Sequence, residues 1–155
     1  MQTLESMKIT GTIEIIARDK DGKIKDSRLI KNLITNAGKA EAAGLLNGAT
    51  TGVFDYIAVG TGTNAAAVGD TALQTEITDS GLQRAQGTAS RVTTTVTNDT
   101  AQVTKTFSVT GTKAVTEAGL LDAASSGVLG SRQVFSAINV VNGDSLQITW
   151  KWAVS

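Results

Sequence analysis

Apolar and polar residues alternate along much of the chain, as they do in β-strands that bury one face. The clearest example is segment 145–154, in which Leu146, Ile148, Trp150 and Trp152 share one face and polar residues occupy the other. Because the two tryptophans lie in the same strand phase, we interpret them as core anchors in preference to a ligand platform.

Comparable patterns, separated by turn signals rich in Gly, Asn and Asp, predict further strands. Together with segment 145–154, the predicted strands are 8–18, 24–32, 54–59, 84–97, 101–109, 115–121 and 128–137. Within 101–109, Lys105 shares the phase of Val103 and Phe107, so its stem must snorkel or this strand must lie at a sheet edge. Segment 71–77 is predicted to be a helical turn or an edge segment.

One short α-helix is predicted at about residues 36–47. Thr35 or Asn36 provides its N-cap, and Gly48 provides the left-handed residue that ends it. Two glycines inside this segment each cost about 1 kcal/mol relative to alanine. We therefore expect the helix to lie unusually close to a sheet.

These elements predict a mainly β protein, namely an antiparallel β-sandwich or jelly roll with one short helix. Residues 1–7 are predicted to form an N-terminal arm. Residues 8–155 are predicted to form a single β-sandwich domain that begins with a hairpin at 8–32.

Composition removes several classes of chemistry. The chain has no histidine and no cysteine, so the commonest general base and every thiol-based site are absent. Its 14 basic and 14 acidic residues balance, whereas a nucleic-acid-binding surface needs a basic excess. Neither a signal peptide nor an apolar run of about 20 residues is evident. We predict no catalytic, cofactor-binding or metal-binding residues, no enzyme activity, and no nucleic-acid or membrane partner.

The strongest loop motif is Gly60-Thr61-Gly62, which directly follows a predicted buried strand. A dinucleotide fingerprint needs a third glycine where Ala65 stands, and a phosphate-binding loop needs a Gly-Lys-Ser/Thr ending that the chain lacks. We interpret the motif as a tight turn in which glycine supplies a positive φ.

Most carboxylates lie at predicted turns, where Asp bonds its own backbone. The segment 19–22 lacks the further ligands of a calcium loop, and 98–100 is interpreted as a turn in preference to a glycosylation site. Glu117 differs because it lies in the apolar stretch 114–121. It either faces solvent or pairs with an arginine. The candidate partners are Arg84, Arg91 and Arg132.

Five segments carry distinctive turn and core residues. They are 32–38, 56–63, 70–73, 117–120 and 143–150. Together they resemble segments of small structural proteins of tailed phages, a family that includes capsid decoration proteins and tail-fibre-like proteins. The resemblance covers roughly residues 30–152, and the N-terminal hairpin lies outside it.

The resemblance implies a bacteriophage virion structural protein. The first expectation is a capsid decoration protein that binds the outer surface of the major capsid lattice and stabilises the head. The implied partners are copies of itself, as a homotrimer, and the phage major capsid protein. The implied location is the exterior of the capsid, after a period in the host cytoplasm during assembly.

Two alternatives to capsid decoration remain open. One is a tail fibre, tail adaptor or baseplate component. The more remote one is a carbohydrate-binding module, which is disfavoured because aromatic residues make up only 4% of the chain. In the capsid decoration role, the arm up to about Lys8 is expected to add to the edge of a neighbouring sheet.

Overall fold

The computed structural model describes residues 4–155, of which most lie in antiparallel strands. Strands account for 49% of the chain and helix for 8%. The strands are β1 Ile9–Arg18, β2 Ile24–Ile34, β3 Tyr56–Gly60, β4 Ala85–Gln86, β5 Thr88–Val92, β6 Thr100–Ser108, β7 Lys113–Leu121, β8 Leu129–Val140 and β9 Ser145–Val154. The helix, α1, spans Asn36–Asn47. The predicted fold class, mainly antiparallel β with one short helix, is confirmed.

The nine strands form one nearly closed sheet in the order β4-β3-β7-β8-β2-β1-β9-β6-β5. The sheet has two halves, β4-β3-β7-β8 and β2-β1-β9-β6-β5, and two elements join them. The first is β2, which pairs with β1 along its length but with β8 only through Leu33 and Ile34. The second is the segment β4–β5, whose first part pairs with β3 and whose second part pairs with β6.

The corner between β4 and β5 lies at Gly87. A Cβ atom at this position would stand 2.6 Å from Val103 Cγ1 and 2.8 Å from the carbonyl oxygen of Thr104. Glycine therefore lets the chain pass from one half of the sheet to the other across the top of β6. The prediction of one strand over 84–97 is wrong, because this corner splits it and because β5 ends at Val92.

The N-terminal hairpin is present as β1 and β2, which pair antiparallel with a bulge near Arg18. Asp19 organises its turn, since its Oδ1 accepts hydrogen bonds from the amides of Asp21 and Lys23, both at 2.9 Å. Gly22 adopts a left-handed φ of 83°. The carboxylate of Asp19 therefore stabilises the turn. Strand β1 lies between β2 and β9 inside the sheet.

A single large core is shared by both halves of the sheet, with a smaller cluster beside β3. In β9, Trp150 is 1% exposed and Trp152 is 8% exposed, which confirms that the tryptophans are core anchors. Lys105 is partly buried on the inner face of β6, with its Nζ 6.0 Å from the centre of the Phe107 ring. Beyond Thr104, β6 has no partner on the β5 side among the described strands, so Lys105 lies at a local edge.

Helix α1 is fixed at its start by Thr35, whose Oγ1 accepts a hydrogen bond from the Gly38 amide at 2.9 Å. The same hydroxyl donates to the carbonyl of Leu129 on β8. Gly48 ends the helix with a left-handed φ of 74°. A Cβ at Gly38 would collide with the carbonyl of Gly130, so the predicted close approach of helix and sheet occurs here.

The turn between β5 and β6 is organised by Asp99, as the sequence predicted for 98–100. Its carboxylate accepts hydrogen bonds from the amides of Thr94, Thr95 and Val96, at 2.8, 2.8 and 2.7 Å. Asn98 supplies a left-handed residue with φ 62°. One carboxylate therefore replaces a strand partner for three successive amides.

Replacement of Asp99 by Asn is expected to lower the free energy of unfolding at neutral pH and to flatten its dependence on acid. Hydrogen bonds from the amides of Val96, Thr94 and Thr95 hold the pKa of Asp99 well below its ordinary value. Such a carboxyl contributes stability that is fully present above the unfolded pKa of about 3.9 and is lost as pH falls through the folded pKa. Urea unfolding at about pH 7, 4 and 2.5 should show a wild-type advantage that shrinks with acid. An advantage independent of pH would contradict this role.

Candidate functional site

A buried ion pair joins Glu117 on β7 to Arg132 on β8. Glu117 is 0% exposed and Arg132 is 2% exposed. Arg132 donates to Glu117 Oε2 through Nε at 2.9 Å, and its Nη2 lies 2.8 Å from the same oxygen. Of the three predicted candidates, Arg132 is therefore the partner, since Arg84 pairs with Glu76 instead.

Glu117 also binds the loop 61–75 through its backbone. Glu117 Oε1 accepts from the amides of Gly62 at 3.0 Å and Thr75 at 2.7 Å, and Oε2 accepts from the amide of Gln74 at 3.0 Å. A buried carboxylate with an ionic partner and several N–H donors avoids the cost of an unpaired buried charge. One side chain thus holds both ends of the loop against β7.

Asp70 extends the ion pair to the middle of this loop. Its Oδ2 lies 2.8 Å from Arg132 Nη1 and accepts from the amide of Ala67 at 2.9 Å. Arg132 Nη2 also donates to the carbonyl of Asn64 at 3.1 Å. Asp70, Arg132 and Glu117 form a chain of charges that we call the buried ion network.

Gly60 and Gly62 serve this network in a different way from the predicted one. Neither glycine adopts a positive φ, so the interpretation of the motif as a left-handed turn is wrong. A Cβ at Gly62 would stand 2.5 Å from Glu117 Oε1, and a Cβ at Gly60 would collide with the same oxygen. The glycines are needed because the carboxylate of Glu117 occupies the space where side chains would stand.

The buried ion network joins three of the five segments that the sequence analysis singled out for their distinctive turn and core residues. Segment 56–63 contributes the glycine loop, 70–73 contributes Asp70, and 117–120 contributes Glu117. The sequence predicted Glu117 and its candidate arginines but not Asp70 as a further partner. The one indication of Asp70 in the sequence was its position in segment 70–73, which the sequence analysis had singled out. The network is a structural tie, because Glu117 is fully buried and its oxygens are occupied by donors.

A second buried carboxylate, Asp144, lies in the turn before β9 and is 4% exposed. Burial alone would raise the pKa of Asp144, but the Lys25 ammonium and the Val141 amide bond its carboxylate, and the pKa is held below its ordinary value. This pair ties β2 to the segment 143–150. Within residues 4–155, no group of three or more potential ligands is arranged to hold a metal ion.

An apolar opening lies at the end of the sandwich where β1 begins and β9 ends. We call it the apolar mouth. Val103, Trp150 and Trp152 form its floor, and Leu46, Val53 and Val154 stand among its rim residues. The cavity measures about 380 Å³, which falls within the range of about 300–1,000 Å³ that is typical of binding pockets.

The rim of the apolar mouth is exposed to an unusual degree for large apolar residues. Leu46 is 73% exposed and Val53 is 56% exposed. Met7, which also lines the cavity, is 59% exposed. Uncovered apolar patches of this kind mark interaction surfaces in soluble proteins.

Comparisons with protein-family models, with curated proteins and with solved structures return no match to this chain. In the part of the chain that the structure describes, no helix has the length and hydrophobicity required to cross a membrane.

Proposed function

We propose that this protein is a structural component of a bacteriophage virion, and specifically a capsid decoration protein that binds the outer surface of the major capsid lattice. The observation that carries the proposal is that the buried charges pair within the protein while apolar residues stay exposed on its surface. Its buried charges are used in internal ties such as Glu117–Arg132, while an apolar surface stays uncovered. This arrangement suits a protein that works by binding partners.

The resemblance to tailed-phage structural proteins supports the choice of partner. Three of its segments meet at the buried ion network, so the likeness concerns residues that maintain one architecture and not scattered surface positions. In the proposed role, a homotrimer sits on the capsid and contacts several major capsid subunits at once. Several weak contacts on one particle give an avidity that exceeds each single affinity by orders of magnitude.

The alternative of a carbohydrate-binding module is less well supported. A sugar platform needs an exposed aromatic face, but Trp150 is 1% exposed. Tyr56 is only partly buried, yet it packs against the small cluster that contains Leu73 and Leu121. We therefore do not assign sugar binding to either aromatic side chain.

The copy number of this chain in purified virions distinguishes the capsid role from the tail role. A decoration protein covers a lattice and should be present in hundreds of copies per particle, because the lattice itself has that many subunits. A tail fibre, adaptor or baseplate component should be present in a few to a few dozen copies. Quantitative mass spectrometry against the major capsid protein gives the ratio, and a ratio in the low range would overturn the proposed location.

Deletion of residues 1–7 is expected to weaken binding to capsids while the domain remains folded. The described part of this arm, residues 4–7, belongs to no strand or helix, so its loss removes no part of the sheet. The measurement is occupancy on capsids that lack the protein, with circular dichroism as the control for folding. Unchanged occupancy would contradict a role for the arm.

A further inference from the structure

The N-terminal arm leaves the sandwich at the rim of the apolar mouth. Lys8 and Ser155 exchange backbone hydrogen bonds of 2.7 and 2.9 Å, so the chain is held to the end of β9 up to Lys8. Met7 then lines the mouth, and Leu4 is 89% exposed. The described arm thus carries an uncovered leucine three residues before Met7, which lines an open apolar cavity.

The arm is short, and its length limits what it can contact. An extended chain spans about 3.3–3.6 Å per residue, so Leu4 lies within about 10 Å of Met7. A surface bound by Leu4 must therefore stand close to the mouth from which the arm leaves. A second copy meets this condition when the mouths of the copies lie around a common symmetry axis.

Charges on the arm and beside the mouth are complementary. Glu5 on the arm and Arg91 on β5 are both exposed, and within residues 4–155 neither belongs to an ion pair. Arg91 pairs with Ala101 across the sheet and lies on the same side of β5 as Ala89, which lines the mouth. The formal net charge of the chain is zero, so copies approach one another without net repulsion.

The edge of β5 beside the mouth is also unpartnered. Among the described strands, β5 is the last in the sheet order and pairs only with β6. Its residues Thr88 to Arg91 are exposed. An arriving chain therefore finds backbone hydrogen-bonding groups next to an apolar cavity, the combination that recurs where a peptide adds to a sheet edge.

We infer that the arm of one copy docks on the apolar mouth of a second copy, with Leu4 entering the cavity and Glu5 pairing with Arg91. The contact is reciprocal in a two-fold assembly and cyclic in a three-fold one, so it closes in both cases. The inference requires only copies of this chain. Its failure leaves binding to the capsid lattice standing, although a chain that stays monomeric would also remove the homotrimer from the proposed role. The failure of capsid binding leaves the self-association standing.

Charge reversal tests the pairing of Glu5 with Arg91. Sedimentation velocity over a concentration series compares the wild-type chain with Glu5→Arg, with Arg91→Glu and with the double variant. Each single variant places like charges together and should weaken self-association about 10-fold or more, and the double variant should restore it. Lys23→Glu is the matched control, since Lys23 is exposed in the β1–β2 turn at the opposite end of the sandwich and should leave association unchanged.

The apolar contact has its own readout. Trp150 and Trp152 are the only tryptophans of the chain and both line the mouth, so their emission reports whether the cavity is occupied. Because Trp150 is already 1% exposed and Trp152 8% exposed, the readout is emission intensity, which should change in the wild-type chain as concentration rises. Leu4→Ser should abolish that change and weaken association about 10-fold or more, because a buried leucine contributes strongly to binding.

Several outcomes would overturn the inference. A wild-type chain that stays monomeric at every concentration rules it out, as does an assembly that neither single charge reversal weakens. Failure of the folded double variant to reassociate rules out the Glu5–Arg91 pairing. A monomer whose tryptophan emission changes only when capsids are added would assign the mouth to the capsid and not to a second copy.

Discussion

Glu117→Gln is expected to lower the free energy of unfolding by about 3 to 5 kcal/mol, although the two side chains have nearly the same shape. Glu117 accepts hydrogen bonds from the amides of Gly62, Gln74 and Thr75 as well as from Arg132. In glutamine one oxygen becomes an NH₂ group, which sets donor against donor and removes the charge that compensates a buried guanidinium. Urea unfolding should show a lower midpoint with an unchanged slope.

Glu14→Gln provides the matched control for this prediction. Glu14 lies on β1, and within the described residues it takes part in no ion pair or side-chain hydrogen bond. The same chemical change there should alter stability by no more than about 0.5 kcal/mol. Arg132→Met should reproduce the large loss, because it leaves Glu117 buried without its ionic partner. A Glu117→Gln chain that unfolds at the wild-type midpoint would show that the buried ion network is not a stabilising tie.

Strand positions were predictable where one face of the strand is buried along its whole length. In β9, apolar residues such as Leu146 and Ile148 alternate with polar ones, and the predicted bounds 145–154 are those of the structure. The segment 84–97 was predicted less well, because alternation does not reveal a corner. Gly87 turns the chain from one half of the sheet to the other, and that requirement comes from the packing of β6 beneath it.

The buried ion network was predictable only in part. Glu117 was conspicuous as a carboxylate in an apolar stretch, but the choice of arginine depends on how β7 and β8 align. Their register shifts between Val115 and Glu117, which no sequence pattern indicates. Asp70 and Gln74 lie in a loop without periodicity, so their convergence on β7 follows from the folded path of the chain.

The apolar mouth was not predicted, because its residues belong to elements that look ordinary in the sequence. Leu46 is one of two adjacent leucines near the end of the predicted helix, yet it is 73% exposed. Val103 and Trp150 follow strand periodicity and lie in the core as expected. Only the path of the helix across the end of the sandwich reveals that the cavity between them is open.

Gly38→Ala is expected to destabilise the protein by about 1 to 3 kcal/mol through overpacking, against an intrinsic helix preference for alanine of about 1 kcal/mol. The added Cβ would collide with the carbonyl of Gly130, a backbone group in β8 that cannot rotate away. The helix cannot slide aside freely either, because Thr35 bonds both the Gly38 amide and the carbonyl of Leu129. Thermal and urea unfolding should both report the loss.

Gly44→Ala is the control within the same helix. It brings the same gain in helix preference, but its Cβ would stand 2.7 Å from both Cγ2 and Oγ1 of Thr50, which lies in the loop after the helix and not in the backbone of a central strand. We expect this variant to lose less stability than Gly38→Ala, because a loop can shift more easily than the β8 backbone. Equal stability of the Gly38 and Gly44 variants would show that α1 does not require close contact with the sheet.

The effect of Gly38→Ala should also reach the apolar mouth, because the contact continues through β8. A Cβ at Gly130 would stand 2.7 Å from Phe54 Cε1 and 3.0 Å from Trp152 Cη2, and these two rings lie 5.0 Å apart between centroids. Helix α1, strand β8 and the Phe54–Trp152 ring pair are thus closely packed layers, with the glycines Gly38 and Gly130 at the two contacts. Displacement of Gly130 must then move Trp152, so tryptophan emission should change in Gly38→Ala but not in Gly44→Ala. A destabilised Gly38→Ala chain with unchanged emission would mean that the strain is absorbed within α1 before it reaches the mouth.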